Sequence, residues 1–129
     1  MKTQYIVALS VAAGIAIGVA ATQTLRAQAK PPGFIIAEID VSNPDAYAKE
    51  FLPVASKALA AGGVNFLVRG GKTMAIDGEP PKGRVIIGQY ESIEKAYATY
   101  TSPEYREARK IGDKYAKFRI YALEGVVPK

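Results

Sequence analysis

The chain has 129 residues, of which 49% are hydrophobic and 22% charged, with a formal net charge of +5. That length fits one domain, and the ordinary composition excludes wholesale disorder. The chain contains no Cys, His or Trp, which excludes disulfides, thiolate nucleophiles, zinc ribbons, Ser-His-Asp triads and imidazole-ligated haem. No cofactor and no metal are therefore expected.

Met1-Lys2 supplies a short positive start, residues 5–21 form a nearly uncharged apolar run, and Ala27-Gln28-Ala29 fits the small-x-small pattern of a cleavage site. The run sits at the lower limit of the about 17–25 residues that span a bilayer, and it is built from Ala and Gly rather than Leu. It reads as a signal peptide over residues 1–29, with an uncleaved anchor as the alternative. No Cys follows it, so a lipoprotein is excluded. Cleavage after Ala29 leaves a domain over residues 30–129, periplasmic or secreted, with no stable membrane association. Loss of Lys2 and Arg26 takes the 17 basic residues to 15 against 12 acidic ones, a net charge of +3. These charges are spread along the chain with acids among them, so nucleic acid is not an expected partner.

After Lys30-Pro31-Pro32-Gly33, residues 34–41 alternate as a strand, with Ile35, Ala37, Ile39 and Val41 on one face. Phe34, Ile36, Glu38 and Asp40 take the other. Ser42-Asn43-Pro44-Asp45 carries the cap, first-turn proline and acid of a helix start. Tyr47, Phe51, Val54, Ala55, Ala58 and Leu59 recur at helical spacing, and Pro53 should kink or split that helix. Gly62-Gly63 stops it.

Residues 64–69 read as a second strand, with Gly70-Gly71 as a turn or bulge and residues 73–76 continuing as strand. Residues 77–83, holding two Gly and two Pro, must be a loop. Residues 84–90 form the next strand. Ser92 caps a helix over residues 93–100, and Ser102-Pro103-Glu104 caps another that reaches about residue 117. Residues 119–123 are the last strand, closed by Gly125. Strand, helix, strand, strand, helix, strand is the order of a ferredoxin-like βαββαβ sandwich, an α+β fold. Helices cover one sheet face only. Phe34, Ile36, Phe66, Val68, Ile86, Tyr90, Tyr121 and Leu123 are assigned to the other face, which a second subunit should cover, making a homodimer.

The chain resembles the DUF1330 family of the dimeric α+β barrel superfamily. The resemblance rests on Asp45-Ala46-Tyr47, Gly63 with Phe66-Leu67-Val68-Arg69-Gly70-Gly71, Arg84-Val85-Ile86-Ile87, Ser92, Ala96, Ser102-Pro103-Glu104-Tyr105 and Glu124-Gly125. It implies the same fold and a dimer, and it brings no established activity. The export signal ending in Leu-Arg-Ala-Gln-Ala-Lys-Pro-Pro is similar to that of a secreted subgroup. Gln89 stands where the family often has an acid, and Gly112 where it often has an Arg.

Five residues are candidates for ligand binding: Arg69, Arg84, Tyr47, Ser102 and Tyr105. An Arg in an apolar strand needs an anion, either a ligand carboxylate or enolate, or Glu38 or Asp40 across the sheet. Ser102 has a structural role open to it as a helix cap. Tyr90, Tyr97 and Tyr100 either line a pocket or pack. Glu38 and Asp40, two apart on one strand face, form either an acid/base pair or an Arg-paired edge. Two functions follow. One is a dimeric binding protein for a small anionic or aromatic molecule. The alternative is a cofactor-free enzyme, monooxygenase- or isomerase-like, acting on an activated carbon acid.

Overall fold

The computed structural model describes residues 29–129. The expected signal peptide lies outside the described residues, save for Ala29 at its end. Among the described residues no helix is long and apolar enough to cross a membrane.

The architecture is an antiparallel four-stranded sheet with helices on one face. β1 (Gly33–Val41) leads into α1 (Pro44–Ala46), a π-helical turn (Tyr47–Phe51) and α2 (Leu52–Ala61). β2 (Asn65–Arg69) and β3 (Arg84–Tyr90) follow, then α3 (Ile93–Tyr100), α4 (Pro103–Gly112) and β4 (Ala116–Glu124). The sheet order β2-β3-β1-β4 is ferredoxin-like, with β1 central between β3 and β4. The caps follow the sequence. Asn43 accepts from the Ala46 N–H, Ser92 from the Lys95 N–H and Ser102 from the Tyr105 N–H.

Pro53 neither splits the first helix nor ends it: the helical backbone is continuous from Pro44 to Ala61, and the proline is accommodated by the π turn before it. It has no N–H to give back to the preceding turn, and the chain widens immediately before it, with the Leu52 N–H bonding the Tyr47 carbonyl. Tyr47 and Phe51 project from this turn into the core, their ring centroids 5.0 Å apart.

Ile35, Ala37 and Ile39 of β1 are buried under the helices, against Tyr47, Phe51, Ala55, Leu59, Ala96, Tyr105 and Ala108. Register then fixes which residues share that face. Ala37 lies opposite Ile86, Ile35 opposite Gly88 and Gly33 opposite Tyr90. Ile86 and Tyr90 therefore point to the helices, not to the open face as expected. Val85, Ile86 and Ile87 are apolar on both sides of the strand, so their alternation carries no facing signal. Phe66 also faces the helices rather than the open side. The β2–β3 ladder shifts between Phe66 and Val68, so Phe66 opposes Gly88 on the helix side while Val68 opposes Ile87 on the open side. The open face keeps Phe34, Ile36, Val68, Tyr121 and Leu123, joined by Val85 and Ile87.

Two element limits also differ. Residues 73–76 are not strand but part of an exposed loop with no ladder partner, and Ile76 stands fully in solvent. The last helix ends at Gly112 rather than near residue 117. The Asp113, Lys114 and Tyr115 N–H groups bond back to Arg109, Ile111 and Gly112, and Ala116 then pairs with Val41 in the sheet. Nine residues of β4 pair with β1 along its full length, and that ladder outweighs the helical propensity of the segment.

Candidate binding cavity

A cavity of about 110 Å³ lies between the sheet and the first helix. Ala37, Ile39 and Ile86 form its sheet wall, and Phe51, Ala55 and Leu59 its helix wall. Four of the five sequence candidates, Tyr47, Arg69, Arg84 and Tyr105, stand on its lining. Ser102 does not. Its hydroxyl accepts from the Tyr105 N–H at 3.2 Å and donates to the Thr99 carbonyl at 2.7 Å, so it is engaged as a cap at a different place on the surface.

Arg69 reaches the cavity because of the break in β2. In an unbroken strand Phe66 and Arg69, three apart, would face opposite sides of the sheet. The extra residue at Leu67 puts both on the helix side, with Arg69 opposite Ile86 and its guanidinium 4.3 Å from the Phe66 ring centroid. Arg84 opens β3 on the same side, opposite Ile39.

Neither arginine has an internal acid. Among the described residues the ion pairs are Arg109 with Asp113, Lys110 with Glu107 and Arg119 with Glu38. Glu38 and Asp40 face the open side of the sheet and cannot reach Arg69, so the expected cross-sheet pair does not form. The Arg84 Nε is buried without any hydrogen-bond acceptor. An unanswered cationic N–H of this kind costs about 1–3 kcal/mol or more, which an arriving anion would recover.

The tyrosines supply neutral hydroxyls. Burial raises Tyr47, opposed by the nearby Arg84 charge, and burial pushes Tyr105 up to about 12. Tyr100, which the cavity adds to the candidate list, is raised by burial as well. Its ring meets Tyr105 edge-on at 4.7 Å. Tyr90 belongs to the core, 2% exposed, and Tyr97 points to solvent, 66% exposed. The lining contains no carboxylate. Phe51, missed from sequence as a site residue, was marked by its place two residues before Pro53. Gly112 makes room for it, since a Cβ there would stand 2.8 Å from the Phe51 ring. Gln89 opposes Phe34 and Asn65 on the open face, away from the cavity.

A sequence model of DUF1330, a domain of unknown function, matches residues 32–126. The chain belongs to the DUF1330 family. Among solved structures it is similar to the RPA0582 protein of unknown function from Rhodopseudomonas palustris. The identity is 22% and the TM-score 0.53, over 84% of this chain and 93% of that one. The methylated RPA0582 protein gives 19% and 0.57, over 84% and 91%. A conserved Bacteroides thetaiotaomicron protein of unknown function, described as a possible oxidoreductase, gives 12% and 0.49, over 74% and 99%. At such identities the likeness to RPA0582 speaks for the DUF1330 fold alone, and the Bacteroides protein carries no argument about chemistry. No curated protein matches the chain.

Proposed function

We propose that this DUF1330 protein is an exported homodimer that binds a small organic monoanion, a short-chain carboxylate, between its sheet and its first helix. The observation that carries the reading is the pair Arg69 and Arg84 on one mostly apolar cavity, with no acid among its lining residues and the Arg84 Nε unanswered. A cavity of roughly 150 Å³ admits benzene, so 110 Å³ suits an apolar tail of a few carbons. The carboxylate would take the guanidinium fork and the tail would rest on Phe51, Leu59 and Phe66. Proton abstraction from a carbon acid finds no agent here, because the tyrosine hydroxyls hold their protons at neutral pH and arginine does not act as a base.

Differential scanning fluorimetry with acetate, butyrate, valerate and benzoate tests the reading. A ligand at a hundredfold its Kd adds about 2.7 kcal/mol of stability, about 10 °C or more of Tm in a domain of this size. Sodium chloride at the same ionic strength should give no such rise. Equal shifts from chloride and from every acid would overturn the proposal.

Export rests on the apolar run of residues 5–21 and on Ala27-Gln28-Ala29. The intact mass of the periplasmic protein should correspond to a chain beginning at Lys30. Full-length protein retained in membranes would instead identify an anchor. The dimer rests on the open sheet face, where Val68, Tyr121 and Leu123 are 37%, 39% and 47% exposed beside Phe34 and Ile36.

A further inference from the structure

Gly70 joins the two halves of the anion site. It follows Arg69 directly, adopts φ +71°, and donates its N–H to the Val85 carbonyl at 2.8 Å. That bond fixes the end of β2 beside the start of β3, where Arg84 stands. The Arg84 guanidinium lies against the bare Cα. A Cβ at position 70 would stand 2.8 Å from Nε, 3.0 Å from Nη2 and 3.1 Å from Cζ. Both nitrogens are nearer than the carbon between them, so it is the Nε–Nη2 side of the guanidinium that rests on the glycine. Two of the other three described glycines with positive φ differ, and the third, Gly83, abuts the Ile39–Asp40 backbone rather than a side chain. Gly63 and Gly78 have nothing within 4 Å of a Cβ, so their conformation serves the turn alone.

We infer that Gly70 is a positioning residue: its missing side chain is the seat against which the Arg84 guanidinium packs, so that the group is held beside Arg69 where an anion can meet both arginines. This rests on the anion-binding reading above. A side chain at position 70 would occupy the seat and force the guanidinium to tilt or leave, and bidentate geometry tolerates neither.

Gly70→Asn is the informative variant, because Asn accepts positive φ more readily than other side chains and yet carries a Cβ. Gly63→Asn is its control, with the same backbone demand and no neighbour to displace. Two readouts are needed. Butyrate affinity by calorimetry should fall at least tenfold in Gly70→Asn and stay at the wild-type value in Gly63→Asn. Independently of any ligand, the Arg84 Nε–H resonance in a ¹H–¹⁵N spectrum should move and exchange faster with water in Gly70→Asn only. Wild-type affinity with an unmoved resonance in Gly70→Asn would overturn the inference. Should the wild-type protein not bind butyrate, the anion reading falls first, and the resonance alone decides whether Gly70 seats Arg84. Should Gly70→Asn not fold, Gly70→Ala is read by the same two measurements.

Discussion

The Arg119 guanidinium bonds the Glu38 carboxylate at 2.5 Å on the open face of the sheet. Glu38 is thereby committed to β4 and to the side away from the cavity, where it cannot pair with Arg69, which lies exposed at the cavity with its guanidinium over Phe66. The pair itself is of modest worth, since the Arg119 side chain is 71% exposed. Its importance is in what it removes from the cavity.

The arginines should behave as groups held for a ligand. Arg69→Ala should change ligand-free stability by no more than about 0.5 kcal/mol, as exposed substitutions do, and abolish the carboxylate-induced rise in Tm. Arg84→Met removes the buried unpaired Nε while keeping the stem. It should be neutral or stabilising by about 1 kcal/mol without ligand, and should also abolish the rise. Chemical denaturation with and without butyrate measures both. A strongly destabilised Arg69→Ala that still binds butyrate would remove Arg69 from the site.

Tyr90→Phe should not destabilise the fold. The Tyr90 hydroxyl is buried with no hydrogen-bond partner, so its removal relieves a desolvated polar group and leaves the ring contacts with Tyr100 in place. The expected change lies between zero and about 1 kcal/mol in favour of the variant, read as the shift in urea midpoint at constant m-value.

Alkali should unfold the protein within a defined window. Tyr90 and Tyr105 are pushed up to about 12 by burial, and Tyr100 is also raised, against an ordinary value of 10.0. Each folded pKa lies above its unfolded value, so the native state holds these protons more tightly. The associated stability is complete below pH 10 and is lost as pH climbs from about 10 towards 12. Urea midpoints should be flat from pH 8 to 9.5 and fall steeply above pH 10. Phenolate absorbance should develop partly with unfolding rather than before it. A midpoint that stays constant through pH 11 would contradict the burial of these hydroxyls.

Charge on the open face should prevent self-association. Ile36 sits at the centre of the sheet, opposite Ile87 on one side and Tyr121 on the other. Ile36→Lys should turn a dimer into a monomer in sedimentation velocity at micromolar concentration, with the far-ultraviolet spectrum unchanged. Wild-type protein already monomeric under those conditions would end the dimer proposal.

Composition, periodicity and capping residues are local properties, and they determined most of the fold. The strand–helix order, the three helix starts at Asn43, Ser92 and Ser102, and the helix irregularity just before Pro53 follow from groups within a few residues of each other. The family resemblance carried by Arg69-Gly70-Gly71 and Ser102-Pro103-Glu104-Tyr105 was legible for the same reason. Tertiary structure alone decided the facing of β2 and β3. Phe66 and Val68 alternate without fault in sequence, yet the ladder to β3 admits one extra residue between them, and that register is a contact between distant segments. The same shift aims Arg69 at the cavity, pairing sends Glu38 to Arg119 instead, and Gly70 comes to lie beneath Arg84 across a loop. None of these has a signature along the chain, because each depends on which residues the assembled sheet sets side by side.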